Sequence, residues 1–310
     1  MERVVGMDAL ERNPLSVVTV GTFDGVHLGH RSIVRYLVQR ARSQGGLSVV
    51  ISFHPHPREV VKGEPMPLLT TVDERADALE DLGLDRFVVI PFTPAFAAMD
   101  ASAFVEDVLL ARVGLKEIVI GYDHGFGKDR AGDSALLREL GARHGFGVDV
   151  IPAQVLEADI VSSTRIRQLL VEAGDVRQAA GMLGRPYRLT GEVVHGDGRG
   201  RQIGYPTANL AIENPNKVIP RTGVYAVRAW RQGAAAPVGG MLNIGVRPTF
   251  DGDSMRIEAH LFDVDASLYG ESLRIDFIER IRDEQKFRTI DALIEQLSKD
   301  EARCKAELQR

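Results

Sequence analysis

The sequence has little that would tie it to a membrane, a disulfide framework or a nucleic acid. It carries one cysteine, Cys304, in 310 residues, so no intrachain disulfide can form, and the charged stretch KDEARCKAELQR around it is a poor setting for a nucleophile. The cysteine reads as incidental. No apolar run reaches the eighteen or more residues that a membrane span requires, so no membrane partner is expected. The opening MERVVGMDALERNPLSV mixes acids with apolar residues and lacks a basic start followed by an apolar block. No secretory signal is expected, and the cytoplasm is the expected compartment. A net charge of -5 offers no general basic surface to a phosphate backbone, which argues against a nucleic-acid partner. Internal repeats, low-complexity segments and a Walker loop (glycines followed by GKS or GKT) are also missing.

What is present is an ordinary globular balance, 44% hydrophobic and 26% charged, in a chain long enough that two domains are the prior expectation. The first half alternates short apolar runs with helical patterns. SVVTV is followed by LGHRSIVRYLVQRARSQ, where Ile33, Val34, Leu37, Val38 and Ala41 fall on one helical face and Gly45 and Gly46 end the pattern. LSVVISF reads as a strand. TTVDERADALEDLG opens with Thr71 and Glu74 at capping-box spacing. Strand RFVVIPF, helix ASAFVEDVLLARVG, strand EIVIGYD, helix SALLRELGARHG and strand VDVIPA continue the series. Continuous apolar strands between amphipathic helices predict an α/β, Rossmann-like parallel sheet covered on both faces, with ligands beyond the carboxyl ends of its strands.

After STRIRQLLVEAGDVRQAAGMLGRPY the texture changes. Short alternating strands divided by Gly, Pro and Asn follow: YRLTGEVVHG, GVYAVRAW, GGMLNIG, RIEAHLFD and ESLRIDFIERI. They predict an antiparallel β-barrel, with a terminal helix packed on it through Ile290, Leu293, Ile294 and Leu297. The boundary is expected near Gly184, giving domains 1–184 and 185–310. Between Arg185 and Arg247, nine basic residues (Arg185, Arg188, Arg199, Arg201, Lys217, Arg221, Arg228, Arg231, Arg247) face three acids (Glu192, Asp197, Glu213), which makes an anionic ligand plausible there.

Several constellations carry chemistry. In GTFDGVHLGH, residues 21–30, a helix starting near Leu28 would aim its free N–H groups and dipole at the strand end, favouring phosphate, and Gly21, Gly25 and Gly29 permit close backbone approach. His27 and His30 can then donate to phosphate oxygens as charge moves onto departing pyrophosphate. A glycine turn with incidental histidines is the competing reading. VSSTRIRQLL opens with Ser162, Ser163 and Thr164 at an N-cap, which a cap alone would explain. Arg165 and Arg167 oppose the helix dipole there, a cost that a bound anion would offset. GYDHGFGKDRAGD is a strand end opening into a glycine-rich turn, either a surface loop or a phosphate or ring clamp through Gly127, Lys128 and Arg130. His54 and His56 in SFHPHPREVV lack a cysteine or acid at ligand spacing, so no zinc site is expected.

In HGDGRGRQIGYPTANL, Gly196, Gly198, Gly200 and Gly204 surround Arg199 and Arg201, and glycines expose backbone N–H groups to phosphate. Thr207 and Asn209, two apart on an expected strand, would face one side and can share a Mg²⁺ with phosphates; a glycine-rich hairpin is the bland alternative. A base is still needed for an attacking hydroxyl. Glu258 in RIEAHLF is the candidate, although an unpaired surface acid would fit the same pattern.

Taken in order, GTFDGVHLGH, FHPHPREVV, GYDHGFGKDRAGD, SSTRIR, GRPYRLTGEVVHGDGRGRQIGYPTANL, GVYAV, NIGVRPTF and YGESLRIDFIERIRDEQKF resemble the successive motifs of the prokaryotic bifunctional riboflavin kinase/FMN adenylyltransferase (FAD synthetase) family over nearly the whole chain. The resemblance implies two Mg²⁺-dependent reactions. Riboflavin and ATP would give FMN in the barrel, and FMN and a second ATP would give FAD and pyrophosphate in the first module. It implies catalytic roles for His27, His30, Arg167 and Glu258. It implies nucleotide binding by Gly21, Phe23, Asp24, Gly29, Asp123, Gly127, Lys128, Ser163, Thr164, Gly198, Arg199, Gly204, Pro206 and Thr207, and a metal held by Thr207 and Asn209. The chain departs from the family pattern where DHGFG, with His124 and Gly125, replaces a common DFRFG, and where His54 replaces a common acid. Both departures fall on expected flavin contacts. One degenerate module, or a flavin-sensing regulatory protein, are the competing functions; a tRNA-binding synthetase would need a KMSKS-like loop, and none is seen.

Overall fold

The structure, a computed structural model, describes residues 1–310 except 122–124, 129–130, 152–154, 157–158, 197 and 250–251, and except the side chains of 155–156, 159–160, 199, 247–249 and 252–254. The chain divides into two compact units, Met1–Ser163 and Thr164–Arg310.

The first unit runs β1 (Glu2–Val5), β2 (Ser16–Val20), α1 (Leu28–Ser43), β3 (Leu47–His54), α2 (Pro57–Lys62), α3 (Val72–Glu80), β4 (Arg86–Pro91), α4 (Pro94–Ala97) and α5 (Ala101–Ala103). It continues through β5 (Leu115–Gly121), α6 (Ser134–His144), β6 (Gly147–Ile151) and a small antiparallel pair, β7 (Val155–Leu156) and β8 (Asp159–Ile160). β1 to β6 form one parallel sheet in the order β1-β4-β3-β2-β5-β6. Alternate strand residues feed two separate cores, as a sheet covered on both faces requires. Val17, Val50, Phe87, Val89 and Val119 pack with Val34, Leu37, Val38 and Ala41 of α1 and Ala76 and Leu79 of α3. Val18, Val49, Ile51, Val88, Ile118 and Ile120 pack on the opposite side with Phe104, Val105, Leu109, Leu137 and Leu140. The capping box of Thr71 and Glu74 is present at the start of α3.

Two features differ from the sequence reading. β1, with only Val4 buried among its four residues, pairs with β4 at the sheet edge, and so short a half-exposed strand leaves no clear alternation. The helix expected over ASAFVEDVLLARVG continues from α5 as a π-helix, Phe104–Val113. Its buried residues Phe104, Val105, Val108, Leu109 and Val113 recur every four to five positions, a spacing that the wider i→i+5 turn keeps on one face.

The second unit contains α7 (beginning at Ser163 and ending at Gln168), its π-wound continuation Leu169–Ala173, α8 (Val176–Leu183), β9 (Tyr187–Val194), the single turn α9 (Arg199–Gln202), β10 (Ala208–Ala211), β11 (Gly223–Arg231), β12 (Val238–Thr249), β13 (Gly252–Leu261), β14 (Ser272–Arg282) and α10 (Ile290–Leu308). Its six strands close into an antiparallel barrel, β10-β13-β12-β11-β14-β9. Leu189, Tyr225, Val227, Leu242, Ile244, Ile275 and Phe277 are fully buried. A second cluster, Val224, Ala226, Met241, Phe262, Ile281 and Cys304 with Leu297 and Leu308 against it, takes Val224, Ala226 and Met241 from positions alternating with those on β11 and β12, and Cys304, Leu297 and Leu308 from α10. Leu297 of the expected face of α10 packs against this cluster, and the face runs on toward the C-terminus of the helix rather than starting at Ile290. Ile290 is 65% exposed, whereas Asp300 and Cys304 are the buried residues of the helix. Asp300 accepts from Arg282 Nε and Nη2 at 2.7–3.0 Å. Cys304 is fully buried, and burial pushes its thiol pKa up to about 12.

Candidate active sites

β2 lies between β3 and β5, where the strand order turns outward in both directions. That is the switch point at which open α/β sheets bind ligands. The loop leaving β2 holds three left-handed residues within four positions: Phe23 at φ 48°, Gly25 at φ 85° and Val26 at φ 42°. A left-handed β-branched valine is a true outlier, and such strain persists only where its surroundings over-determine it.

Those surroundings are buried polar groups. Asp24, 1% exposed, accepts from Leu69 N at 3.0 Å and from Thr70 N and Oγ1 at 2.9 and 3.1 Å. Gly25 N donates to Thr70 Oγ1. Ser52 Oγ donates to the Thr22 carbonyl at 3.0 Å and accepts from Arg75 Nη1 at 2.7 Å. Arg75 is itself only 2% exposed; burial pushes its guanidinium pKa down, against the opposing pull of Asp24. A buried cation is tolerable only with such compensation. Neither Arg75 nor Ser52 carried a sequence signal, since an arginine in an amphipathic helix ordinarily points to water. Ser163, at the start of α7, donates to the Asp24 carbonyl at 2.8 Å, so two motifs separated by 139 residues meet at one loop.

The loop delivers His27 as the N-cap of α1, a helix with no acid in its first turn. His30 lies one turn on, its ring stacked on His27 with centroids 3.7 Å apart, and Phe23 packs against it at 5.0 Å. Gly21 leaves room for that phenylalanine, since a Cβ would stand 3.1 Å from its ring. Gly29 falls in the first turn. The arrangement presents two imidazoles and a helix N-terminus at one strand end, a donor set for phosphate.

The remaining first-module candidates are placed less tightly. Gly127 has φ 72°, and a Cβ there would meet the Ala101 backbone at 2.7 Å; Lys128 N donates to Met99 O and its side chain is exposed. Thr164 is exposed and Arg167 half-buried on α7. Asp123, His124 and Arg130 lie outside the described residues. His54 is exposed, while His56 is buried and caps α2 through Arg58 N.

The second site is set by strand register. Asn209 of β10 stands opposite Glu258 of β13, and Glu258 stands opposite Asn243 of β12. Directly opposed residues share a face, so these three form a row across the barrel exterior. Arg256 Nη1 lies 3.8 Å from Glu258 Oε1. Thr207 immediately precedes β10. The glycines press on this row. A Cβ on Gly196 would stand 2.0 Å from Asn209 Nδ2, and one on Gly200 would stand 2.2 Å from Tyr205 O and 3.6 Å from Thr207 Oγ1. Gly198 and Gly204 take positive φ, 68° and 82°. Arg199 contributes its backbone to α9, and its side chain lies outside the described residues. Asn243 escaped the sequence reading because only β12–β13 pairing brings it beside Glu258. On its strand, Gly245 leaves space that Glu284 occupies.

Thr207 and Asn209 offer a hydroxyl and an amide oxygen, both hard and neutral donors. They suit Mg²⁺ when phosphates complete its shell. Among the described residues no group of three or more His, Cys, Asp or Glu could hold a metal. Much of the basic surplus of this half is taken up within the fold: Arg188 pairs with Asp276, Arg231 with Glu271, and Lys217 lies over the Tyr187 ring.

Residues 10–165 match the family model of FAD synthetase, and residues 183–308 match that of riboflavin kinase. A bifunctional riboflavin kinase/FMN adenylyltransferase of Escherichia coli (strain K12) is 37% identical over 306 residues, covering 97% of this chain and 96% of that protein. Its counterpart in Haemophilus influenzae is 38% identical, covering 93% of each chain. A solved structure from Streptococcus pneumoniae, described as a macrolide-efflux protein, superposes with a TM-score of 0.86 at 32% identity, covering 97% of this chain and 98% of that one. Among the described residues here, no helix is long and apolar enough to cross a membrane.

Proposed function

The chain belongs to the bifunctional riboflavin kinase/FMN adenylyltransferase family, and from that premise we propose that it converts riboflavin to FMN and FMN to FAD, each step using ATP. The observation that carries the reading is that each unit holds its own reaction centre. The imidazole pair sits at the head of α1 in one, and the opposed Asn209 and Glu258 stand on the barrel of the other.

In the kinase step, Glu258 takes the proton of the riboflavin 5′-hydroxyl as its oxygen bonds to the γ-phosphorus of ATP and the bond to the β-bridging oxygen breaks, releasing ADP. Thr207 and Asn209 would hold Mg²⁺, which supplies positive charge to the phosphates when bound. Backbone N–H groups of Gly198, Arg199 and Gly204 face the nucleotide in this reading, with the Pro206 ring beside them. In the second step, an FMN phosphate oxygen attacks the α-phosphorus of ATP, and the bond to the β-phosphate breaks. His27 and His30 donate to the oxygens on which charge develops, and no covalent enzyme intermediate is required. The family's motifs assign Arg167, Ser163, Thr164, Gly127, Lys128 and Asp123 to the nucleotide in this reading, and Asp24 holds the loop that carries the pair.

We place the boundary between activities near Gly184, in line with the start of the riboflavin kinase match at 183, and treat α7 and α8 as packing with the barrel unit. The setting is cytoplasmic, with small molecules as partners and neither nucleic acid nor membrane. Chromatography of the flavins formed from riboflavin, ATP and Mg²⁺ over time tests the proposal. FMN rising first and FAD following is the expected course. FMN without FAD would leave a lone kinase, and unchanged riboflavin would withdraw the reading.

A further inference from the structure

Building on the kinase reading above, we propose that His260 is a positioning residue, fastening the segment that carries Thr207 and Asn209 to the strand that carries Glu258. The antiparallel ladder between β10 and β13 pairs Asn209 with Glu258 and Ala208 with Ala259. Continued by one residue it would set Thr207 opposite His260, but β10 begins only at Ala208. The residue before Thr207 is Pro206, which has no N–H to give to a ladder. Backbone pairing therefore ends just where the metal and phosphate groups begin.

The His260 side chain takes over at that point. Its Nδ1–H donates to the Pro206 carbonyl at 2.8 Å. That carbonyl belongs to the peptide plane shared with Thr207, so the bond fixes the orientation of the Thr207 peptide as well as the reach of the proline. The imidazole is itself held edge-on by Tyr205 at 5.2 Å and Phe262 at 5.9 Å. Phe262 belongs to the cluster beneath α10, and Tyr205 packs against the same cluster. Burial and the nearby Glu301 of α10 push the Tyr205 phenol pKa up. His260 and Glu258 are two apart on β13 and share its outer face, so a single rigid strand presents both the base and the fastening for its metal-side partners. The distance between base and phosphate site is thereby set by one strand and one side-chain hydrogen bond.

Replacing His260 tests this. His260→Ala leaves the Pro206 carbonyl without its donor. It should raise the KM for ATP in FMN formation about tenfold, the factor expected for one lost hydrogen bond, with the KM for riboflavin unchanged. Amide exchange across residues 203–211, followed by mass spectrometry without substrates, should accelerate by a similar factor. Asn carries its amide nitrogen near the place of Nδ1, and Gln carries it near Nε2. His260→Asn should therefore recover most of the ATP affinity and the protection, and His260→Gln should not. Unchanged exchange and unchanged KM in His260→Ala would overturn the proposal, as would Gln rescuing better than Asn; the Asn and Gln pair decides the matter even if the alanine variant fails to fold. A wild-type chain that forms no FMN would instead sink the kinase reading, while the exchange comparison still judges the fastening.

Discussion

The two reaction centres solve one problem, holding polar groups against a nucleotide, by opposite means. In the parallel-sheet unit, the groups sit on a loop forced into left-handed backbone at Phe23, Gly25 and Val26, and the compensation is a buried network of Asp24, Thr70, Ser52 and Arg75. In the barrel, Asn209, Glu258 and Asn243 stand on strands of ordinary conformation, and the ladder register aligns them. A strained loop must be over-determined from beneath, whereas a ladder needs only the right register and glycines small enough to let neighbours close in. Changes in residues that never touch substrate should accordingly cost the loop site stability, and should cost the barrel site activity with little loss of stability.

The sharpest way to break the comparison is to disable each site alone. His30→Ala removes one donor to developing charge and should lower FAD formation by about 10²- to 10³-fold, leaving FMN formation from riboflavin intact. Asn209→Ala should do the reverse, with FAD still made from supplied FMN. Flavin chromatography on both variants checks this, and loss of both activities in either folded variant would end the idea of separate centres.

Next in size is the buried network. Asp24→Ala strips three hydrogen bonds from the loop and removes the charge nearest Arg75, so it should destabilise the first unit by about 3 kcal/mol. Denaturant unfolding measures the loss, and a change below about 1 kcal/mol would show that Asp24 does not stabilise the loop. Gly196→Ala probes the other side. Its Cβ would collide with the Asn209 amide, and FMN formation should fall about 10²-fold, the effect of displacing one group by about an ångström. Stability should barely change. The smallest effect belongs to α10: Ile290→Ser, at an exposed position, should shift stability by less than about 0.5 kcal/mol. By contrast, the Cys304 thiol, buried with its pKa raised to about 12, should resist iodoacetamide until the chain unfolds.

Much of this was legible in the sequence for local reasons. SVVTV, LSVVISF and RFVVIPF announced buried parallel strands because both faces of each are apolar, and the spacing of Thr71 and Glu74 marked a helix start that depends on four residues alone. The histidines of GTFDGVHLGH and the pair Thr207 and Asn209 stood out by residue type beside glycines. On α10 the expected face holds Leu297, which packs on the barrel, but it starts too early, at Ile290, the first residue of the helix and 65% exposed. The burial of Asp300 on that face was not legible, because its partner Arg282 lies on β14.

By itself, then, the sequence determined the kinds of element, their order, the change from parallel sheet to antiparallel barrel and the addresses of the main motifs, since periodicity, caps and turn chemistry act over a few residues. Only the tertiary structure decided that Arg75 lies buried beneath the histidine loop, that Asn243 joins Glu258, that Ser163 reaches Asp24 and that His260 ends at Pro206. Those contacts join residues from 15 (Asn243 and Glu258) to 139 (Asp24 and Ser163) positions apart. They follow from strand order and register, which arise when the whole chain buries its apolar surface at once and which no local pattern encodes.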